Sequence, residues 1–229
     1  MKSYLLKYEH VPLVEIDGRK VVIDTGSPLT FDLAAGSGAE SDDSFSARVR
    51  QTVVHQTGER PDALWGTDVL GSQTLRFDLP RREVVLGGAP GSSSTNAKIL
   101  KSDTFGGLPV VHVLVAGNPK RLVLDTGCHH GYLLDVGGLK PTGTNIEDHS
   151  PLVSGGQFHA PKFRGEMNLL TEDEEVISLG ISDFGYVRDV DGICKTLVQF
   201  GLDGVVGGNV FRKKVIEFSN GMQTLAVVG

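Results

Sequence analysis

The chain is patterned as short apolar runs separated by glycine and polar residues. The first clear pair of runs covers residues 13–16 and 20–23, and Asp17-Gly18 lies between them. An Asp-Gly pair between two apolar runs is a strong signal for a tight β-hairpin. Frequent glycine among runs of Val and Leu therefore predicts a fold of short strands and many turns.

The same pattern occurs twice. Residues 110–115 and 121–124 predict a second hairpin, with its turn at residues 117–119. Downstream, residues 64–70 (LWGTDVL) resemble residues 205–211 (VVGGNVF). Each copy predicts a short helix and then closes on a β-rich stretch, at residues 83–86 and 224–228. The repeat predicts an internal duplication.

A segment rich in Gly and Ser, residues 87–96, separates the two copies. This composition is typical of a flexible linker. We therefore predict an N-terminal unit over residues 1–96, linker included, and a C-terminal unit over residues 97–229. The middle of the second unit is longer and has room for extra hairpins, whereas residues 39–44 of the first predict a solvated loop.

Composition and charge exclude several classes of partner. The net charge is −6 with no basic stripe, which disfavours nucleic acid. No apolar run approaches the length of a membrane span, and the apolar part of the first residues is too short for a secretory signal. We expect a soluble, cytoplasmic protein without membrane contact, whose two cysteines, Cys128 and Cys194, are free thiols.

The candidate chemistry lies in one tripeptide that is present twice. Asp-Thr-Gly occupies residues 24–26 and 125–127, each time at the end of an apolar run. An ionised carboxylate at the end of a buried strand is costly because it loses water. A single copy would be read as an ordinary strand-end turn, but two copies in matching contexts predict two carboxylates that share a proton.

These residues resemble the aspartic peptidase superfamily, of both retropepsin and pepsin type. The Asp-Thr-Gly turn and the later apolar-apolar-Gly segment carry the resemblance, and each is present twice. It implies an all-β, bilobal fold of two retropepsin-like β-barrel lobes related by pseudo-two-fold symmetry. Asp24 and Asp125 would form the catalytic dyad, one as general base towards water and the other as general acid. No cofactor is implied, and one chain supplies both carboxylates, so a monomer suffices.

Glycine and threonine support each predicted turn. Gly26 and Gly127 let the two loops approach closely, because a Cβ would obstruct them. The resemblance implies that Thr25 and Thr126 form hydrogen bonds across the interface and lock the loops.

The residue after each tripeptide differs between the copies. Ser27 follows the first and is predicted to donate a hydrogen bond to a carboxylate. Cys128 follows the second, and a thiol is a weak donor. We therefore expect unequal environments for the two aspartates.

Family members cover the bound substrate with a β-hairpin flap that excludes water. The best candidate is residues 152–158, in which Ser154, Gly155 and Gly156 would contact the substrate. Residues 53–58 are a weaker candidate, because little chain remains before Gly66. We expect one flap, from the C-terminal unit. Neither candidate contains the Tyr that pepsin-like flaps carry.

Other chemistries have less support. His129 and His130 follow Cys128 directly, but neighbouring residues on a strand point to opposite faces and rarely share a metal ion, so no metal is predicted. No Gly-x-Ser-x-Gly segment supports a serine nucleophile. Three functions remain open: an aspartic endopeptidase acting on an extended peptide or protein, a catalytically silent peptide-binding module of the same fold, and a restricted processing peptidase that acts on one partner protein. Retention of both aspartates favours the enzyme, since an unused buried pair is destabilising.

Overall fold

The computed structural model describes residues 1–7, 11–34, 44–87 and 97–228, and strands make up most of its regular structure. We refer to residues 1–87 as the N-terminal half and to residues 97–228 as the C-terminal half. The strands described are β1 (Lys2–Leu5), β2 (Leu13–Ile16), β3 (Arg19–Ile23), β4 (Phe31–Asp32), β5 (Ala63–Trp65), β6 (Leu75–Asp78), β7 (Glu83–Leu86), β8 (Ala97–Ile99), β9 (Ser102–Phe105), β10 (Leu108–Val115), β11 (Asn118–Asp125), β12 (Gly131–Leu133), β13 (Lys140–His149), β14 (Gln157–Leu170), β15 (Val176–Tyr186), β16 (Gly204–Gly207), β17 (Val215–Ser219) and β18 (Thr224–Val228). The helices described are α1 (Phe45–Thr57), α2 (Thr67–Leu70) and α3 (Asp191–Gln199), with 3₁₀ turns at Leu79–Arg81 and Gly208–Phe211.

A four-stranded sheet in the N-terminal half has the order β2-β3-β5-β4. Its β2–β3 hairpin turns at Asp17 and Gly18, which both have positive φ, as the two-residue hairpin turn requires. The first predicted hairpin is confirmed. After the hairpin, β3 runs parallel to β5, so that Ile23 lies beside Trp65.

An eight-stranded sheet in the C-terminal half has the order β13-β14-β15-β12-β16-β11-β10-β9. It contains the second hairpin, β10–β11, but the predicted turn at residues 117–119 is wrong. The turn is formed by Ala116 and Gly117, both at positive φ, and Asn118 already pairs with Val115. As in the N-terminal half, the second hairpin strand then runs parallel to the apolar-apolar-Gly strand, here β16.

A third sheet joins the two halves. Its order is β1-β7-β6-β17-β18-β8, so three strands come from each half. The halves meet at the antiparallel pair β6–β17. Phe77 and Phe218, which hold equivalent positions in the two copies, pack edge to face there with ring centroids 6.1 Å apart.

The middle segments of the two halves differ in kind. In the N-terminal half the middle is helix α1, which begins after Ser44, whose hydroxyl accepts from the Ala47 amide at 3.1 Å, and ends at Gly58. Val49 and Val53 are buried on one face of this helix, in the cluster that contains sheet residues Val22 and Leu64. The weaker flap candidate at residues 53–58 is therefore wrong, because these residues lie in and directly after a helix, in which Val53 is buried and Val54 is exposed.

In the C-terminal half the middle contains β13, β14, β15 and α3. The predicted extra hairpins are therefore present. Of the predicted solvated loop, residues 39–43 lie outside the described residues, and so do residues 88–96 of the predicted linker. In the part of the chain that the structure describes, no helix is both long and apolar enough to cross a bilayer.

Candidate active site

The two Asp-Thr-Gly turns meet between the halves. Asp24 directly follows β3, and Asp125 is the last residue of β11. The parallel partner strand fixes the first turn, since the Asp24 amide donates to the Trp65 carbonyl at 3.0 Å. The carboxyl groups of Asp24 and Asp125 are hydrogen-bonded to each other.

The pair is suited to holding one proton. Loss of water raises the pKa of both carboxyl groups, and the negative charge of Asp24 raises the pKa of Asp125 further. The hydrogen bond from Asp125 works in the other direction on Asp24 and lowers its pKa. The pair therefore holds one proton while the other carboxyl group is ionised, and the two groups titrate as a unit.

Backbone amides complete the surroundings of each carboxylate. The Gly26 amide donates to Asp24 Oδ1 at 2.8 Å, and the Cys128 amide donates to Asp125 Oδ1 at 3.0 Å. Ser27 and Gly127 supply the corresponding second amide of each turn, and Asp24 also accepts from the Gly127 amide of the other half. Amide donors stabilise the ionised form of a carboxyl group and oppose the effect of burial.

Two buried threonines bind the turns together. The Thr25 amide donates to Thr126 Oγ1 at 3.0 Å, and the Thr126 amide donates to Thr25 Oγ1 at 3.1 Å. Each hydroxyl donates in turn to a carbonyl of the opposite strand, Leu124 or Ile23. These are the cross-interface hydrogen bonds that the resemblance implies.

Glycine is required at the third position of each turn. An ideal Cβ on Gly26 would lie 2.1 Å from Asp125 Cγ, and one on Gly127 would lie 2.7 Å from Asp24 Cγ. Both distances are far below a van der Waals contact. Each glycine therefore makes room for the carboxyl group of the other half.

The Ser27 hydroxyl does not donate to a carboxylate as predicted, and the Cys128 thiol is likewise bonded elsewhere. The Ser27 hydroxyl donates to the Leu29 carbonyl at 2.7 Å, and the Cys128 thiol donates to the His130 carbonyl at 3.2 Å. Each side chain thus bonds the backbone two residues on, a local turn interaction that competes with the carboxylate. Burial, with the nearby Asp125, raises the pKa of the Cys128 thiol well above its usual range, so the group stays neutral.

The dyad faces a cleft of about 480 Å³ between the halves. Helices form much of its wall: α1 contributes Phe45, Val49 and Val53, and α3 contributes Ile193 and Thr196, with Phe200 directly after its end. The cleft is therefore apolar around a polar centre, which is the usual character of a site for organic ligands.

The predicted flap residues lie beside the cleft. Ser154, Gly155 and Gly156 are in the turn between β13 and β14, which we call the hairpin turn (residues 150–156), and both glycines have positive φ. The side of the turn that lines the cleft is residues 150–152. An ideal Cβ on Gly192 would lie 1.9 Å from the Leu152 carbonyl oxygen, so the turn rests on the start of α3.

The polar residues of the cleft that sequence reasoning missed include Gln56, Tyr132 and Asp148. The Tyr132 hydroxyl donates to Asp148 Oδ2, and burial raises the pKa of this phenol far above its usual range. No local pattern marks Asp148, because its partners are distant in sequence. The helical spacing of Phe45, Val49 and Val53 could have indicated the α1 wall.

The two histidines after Cys128 contact each other. The rings of His129 and His130 lie with centroids 4.2 Å apart. Among the residues that the structure describes, no three His, Cys, Asp or Glu side chains are grouped so as to hold a metal ion.

The sequence matches no protein-family model and no curated protein. Among solved structures, the fold is similar to the crystal structure of basic 7S globulin from soybean, with 11% identity and a TM-score of 0.43. The match covers 77% of this chain and 60% of that one. We therefore base the function on the site itself.

Proposed function

We propose that this chain is an aspartic endopeptidase that hydrolyses peptide bonds with a water molecule activated between Asp24 and Asp125. The observation that carries the proposal is the hydrogen-bonded pair of carboxyl groups, Asp24 and Asp125, which lines an apolar cleft. Two carboxyl groups in such contact cannot both ionise, and this unequal protonation supplies a base and an acid at once.

The chemistry follows from the protonation of the pair. The ionised carboxylate of the pair takes a proton from the water as the water oxygen attacks the scissile carbonyl carbon. The protonated carboxyl group gives its proton to the carbonyl oxygen, which forms a neutral tetrahedral diol. Collapse of the diol breaks the C–N bond: the leaving nitrogen takes up a proton from one carboxyl group, a diol hydroxyl returns a proton to the other, and a carboxyl and an amine product remain. No covalent intermediate or cofactor enters these steps.

The duplicated organisation is part of the proposal. Both halves contain a hairpin whose second strand leads into Asp-Thr-Gly and pairs in parallel with an apolar-apolar-Gly strand. This supports two retropepsin-like lobes related by pseudo-two-fold symmetry, with units 1–96 and 97–229. The substrate would be an extended peptide with apolar side chains near the dyad, covered by the hairpin turn with Ser154, Gly155 and Gly156.

A peptide-library assay tests the proposal. Wild type, Asp24→Asn and Asp125→Asn are compared from acid to neutral pH, with and without a statine inhibitor that mimics the tetrahedral diol. Asp17→Asn, in an exposed hairpin turn, is the matched control. We expect cleavage by wild type and the control, loss of at least about a hundredfold in both dyad variants, and inhibition by statine.

Other results would redirect the proposal. Cleavage that survives both dyad substitutions would contradict it. Tight statine binding without cleavage of any peptide by the folded wild type would indicate an intact site restricted to one partner protein. Neither cleavage nor statine binding would favour the silent peptide-binding module instead.

A further inference from the structure

Helix α1 of the N-terminal half contacts strand β13 of the C-terminal half across the cleft. The Gln56 side-chain amide donates to Asp148 Oδ1 at 3.2 Å. Beside this bond the rings of His55 and His149 stack with centroids 3.7 Å apart. Gln56 and Asp148 both line the cleft that holds the dyad.

Asp148 is firmly held on its own side. Only 7% of its surface is exposed, and it accepts hydrogen bonds from the Tyr132 hydroxyl and from the His149 amide. Tyr132 lies on β12, shortly after the second Asp-Thr-Gly turn, and its ring packs on Phe158 of β14 with centroids 5.5 Å apart. A buried carboxylate needs such partners, and Gln56 supplies one of them from the other half.

Gln56 is positioned by its helix and is half-buried. It lies one turn beyond Val53 on the face of α1 that is buried through Val49 and Val53. Packing of this helix face into the core of the N-terminal half therefore fixes where Gln56 lies. The contact lies where β13 enters the hairpin turn (residues 150–156).

We infer that Asp148 is a positioning residue that holds the hairpin turn closed over the dyad by its contact with Gln56. Entry of a substrate breaks this contact, and its return encloses the substrate and excludes water from the carboxyl pair. The inference rests on the proposed function, because closure matters to catalysis only if the cleft takes a substrate. The contact itself is tested without catalysis.

A negative and a positive charge at position 56 should have opposite effects on the closure of the hairpin turn. Gln56→Glu is nearly isosteric and sets a second carboxylate against Asp148, so the turn should open. Gln56→Lys supplies a cation that Asp148 can bind, so the turn should stay closed or close further. The matched control is Gln51→Glu, on the exposed side of the same helix.

Hydrogen exchange of the full chain at neutral pH measures the opening. The amides of Ser150, Val153 and Gly156 are hydrogen-bonded within the turn, so their exchange reports its integrity. In Gln56→Glu we expect their protection to fall about fivefold or more, with β6 and β17 unaffected. Gln56→Lys should match or exceed wild type, and Gln51→Glu should equal it.

Equal amide protection in the Glu and Lys variants, or a loss of protection in both, would overturn the inference. Either result would mean that removal of the glutamine side chain, and not the charge at position 56, determines the exchange. The peptidase assay is read separately. If wild type cleaves nothing while exchange responds to charge as expected, the proposed hydrolysis fails and the closing contact stands.

Discussion

Thr25 and Thr126 each donate a hydroxyl hydrogen to a backbone carbonyl of the opposite half, Thr25 to Leu124 at 2.7 Å and Thr126 to Ile23 at 2.8 Å. Each accepting carbonyl belongs to the residue just before an aspartate of the dyad. The spacing between the two carboxyl groups is therefore set by hydrogen bonds in a buried interface. Such bonds are costly to break because their partners cannot turn to water.

Thr25→Val tests this interface. Valine keeps the shape but leaves the Leu124 carbonyl and the Thr126 amide without their partner. We expect the free energy of unfolding to fall by about 2–4 kcal/mol, measured by urea denaturation. Thr144→Val, at an exposed position in β13, is the control and should change stability by less than about 0.5 kcal/mol. Equal losses in the two variants would contradict the assignment.

Asp125→Asn should change stability in a pH-dependent way. The pKa of Asp125 is raised in the folded state by burial and by Asp24, so the folded chain holds this proton more tightly than the unfolded chain. Stability from this group is present at low pH and is lost as pH rises from about 4 through the folded pKa. Asparagine does not titrate, so the unfolding free energy of the variant should increase relative to that of wild type between pH 4 and pH 7.

Urea denaturation at several pH values across that window measures the gain. Asp17→Asn, in the exposed turn after β2, should run parallel to wild type. If the unfolding free energy of the variant instead decreases relative to wild type as the pH rises, the carboxyl pair is not protonated as described.

Gly26→Ala tests the close approach of the two loops. The added methyl group would meet the Asp125 carboxyl group at 2.1 Å, so one of the turns must shift. We expect a loss of about 1–3 kcal/mol in unfolding free energy and loss of statine binding, measured by denaturation and calorimetry. Gly137→Ala, whose Cβ would lie 3.4 Å from its nearest neighbour, should have neither effect. Retained statine binding in Gly26→Ala would contradict the prediction.

Tyr132→Phe tests the buried phenol. Because burial raises the pKa of Tyr132 far above its usual range, the native protein should not ionise it at any pH at which it stays folded. The phenolate absorbance of native Tyr132→Phe should therefore follow that of wild type with rising alkali. After unfolding in denaturant, the variant should lack the absorbance of one of the four tyrosines. A difference between the native titrations would show that Tyr132 is accessible.

Local chemistry predicted the elements that depend on neighbouring residues. Asp17-Gly18 indicated the first hairpin because this pair adopts the positive φ of the turn easily. The terminal strands β7 and β18 have the predicted bounds. The sequence also indicated which glycines permit the two turns to meet, since the tripeptide itself recurs.

The missed elements depend on contacts between distant residues. Helix α1 was not predicted, because β-branched Val53 and Val54 favoured a strand, and burial of Val49 and Val53 against the sheet overrides that propensity. Ser27 was assigned to a carboxylate, whereas the Leu29 carbonyl lies closer along its own turn. Asp148 gave no signal, since it meets Gln56 only once both halves have folded.

The sheet shared by the halves has a consequence for how the protein could be divided. Its central pair, β6–β17, aligns Leu75 with Phe218 and Phe77 with Ile216, so the boundary between the halves is itself continuous β-structure. A chain cut between residues 87 and 97 would yield two fragments that each carry one aspartate of the dyad and an unpaired strand edge complementary to that of the other fragment. Such fragments, produced together, should reassemble through these edges, which makes the protein a candidate for a split reporter whose dyad exists only when both pieces meet.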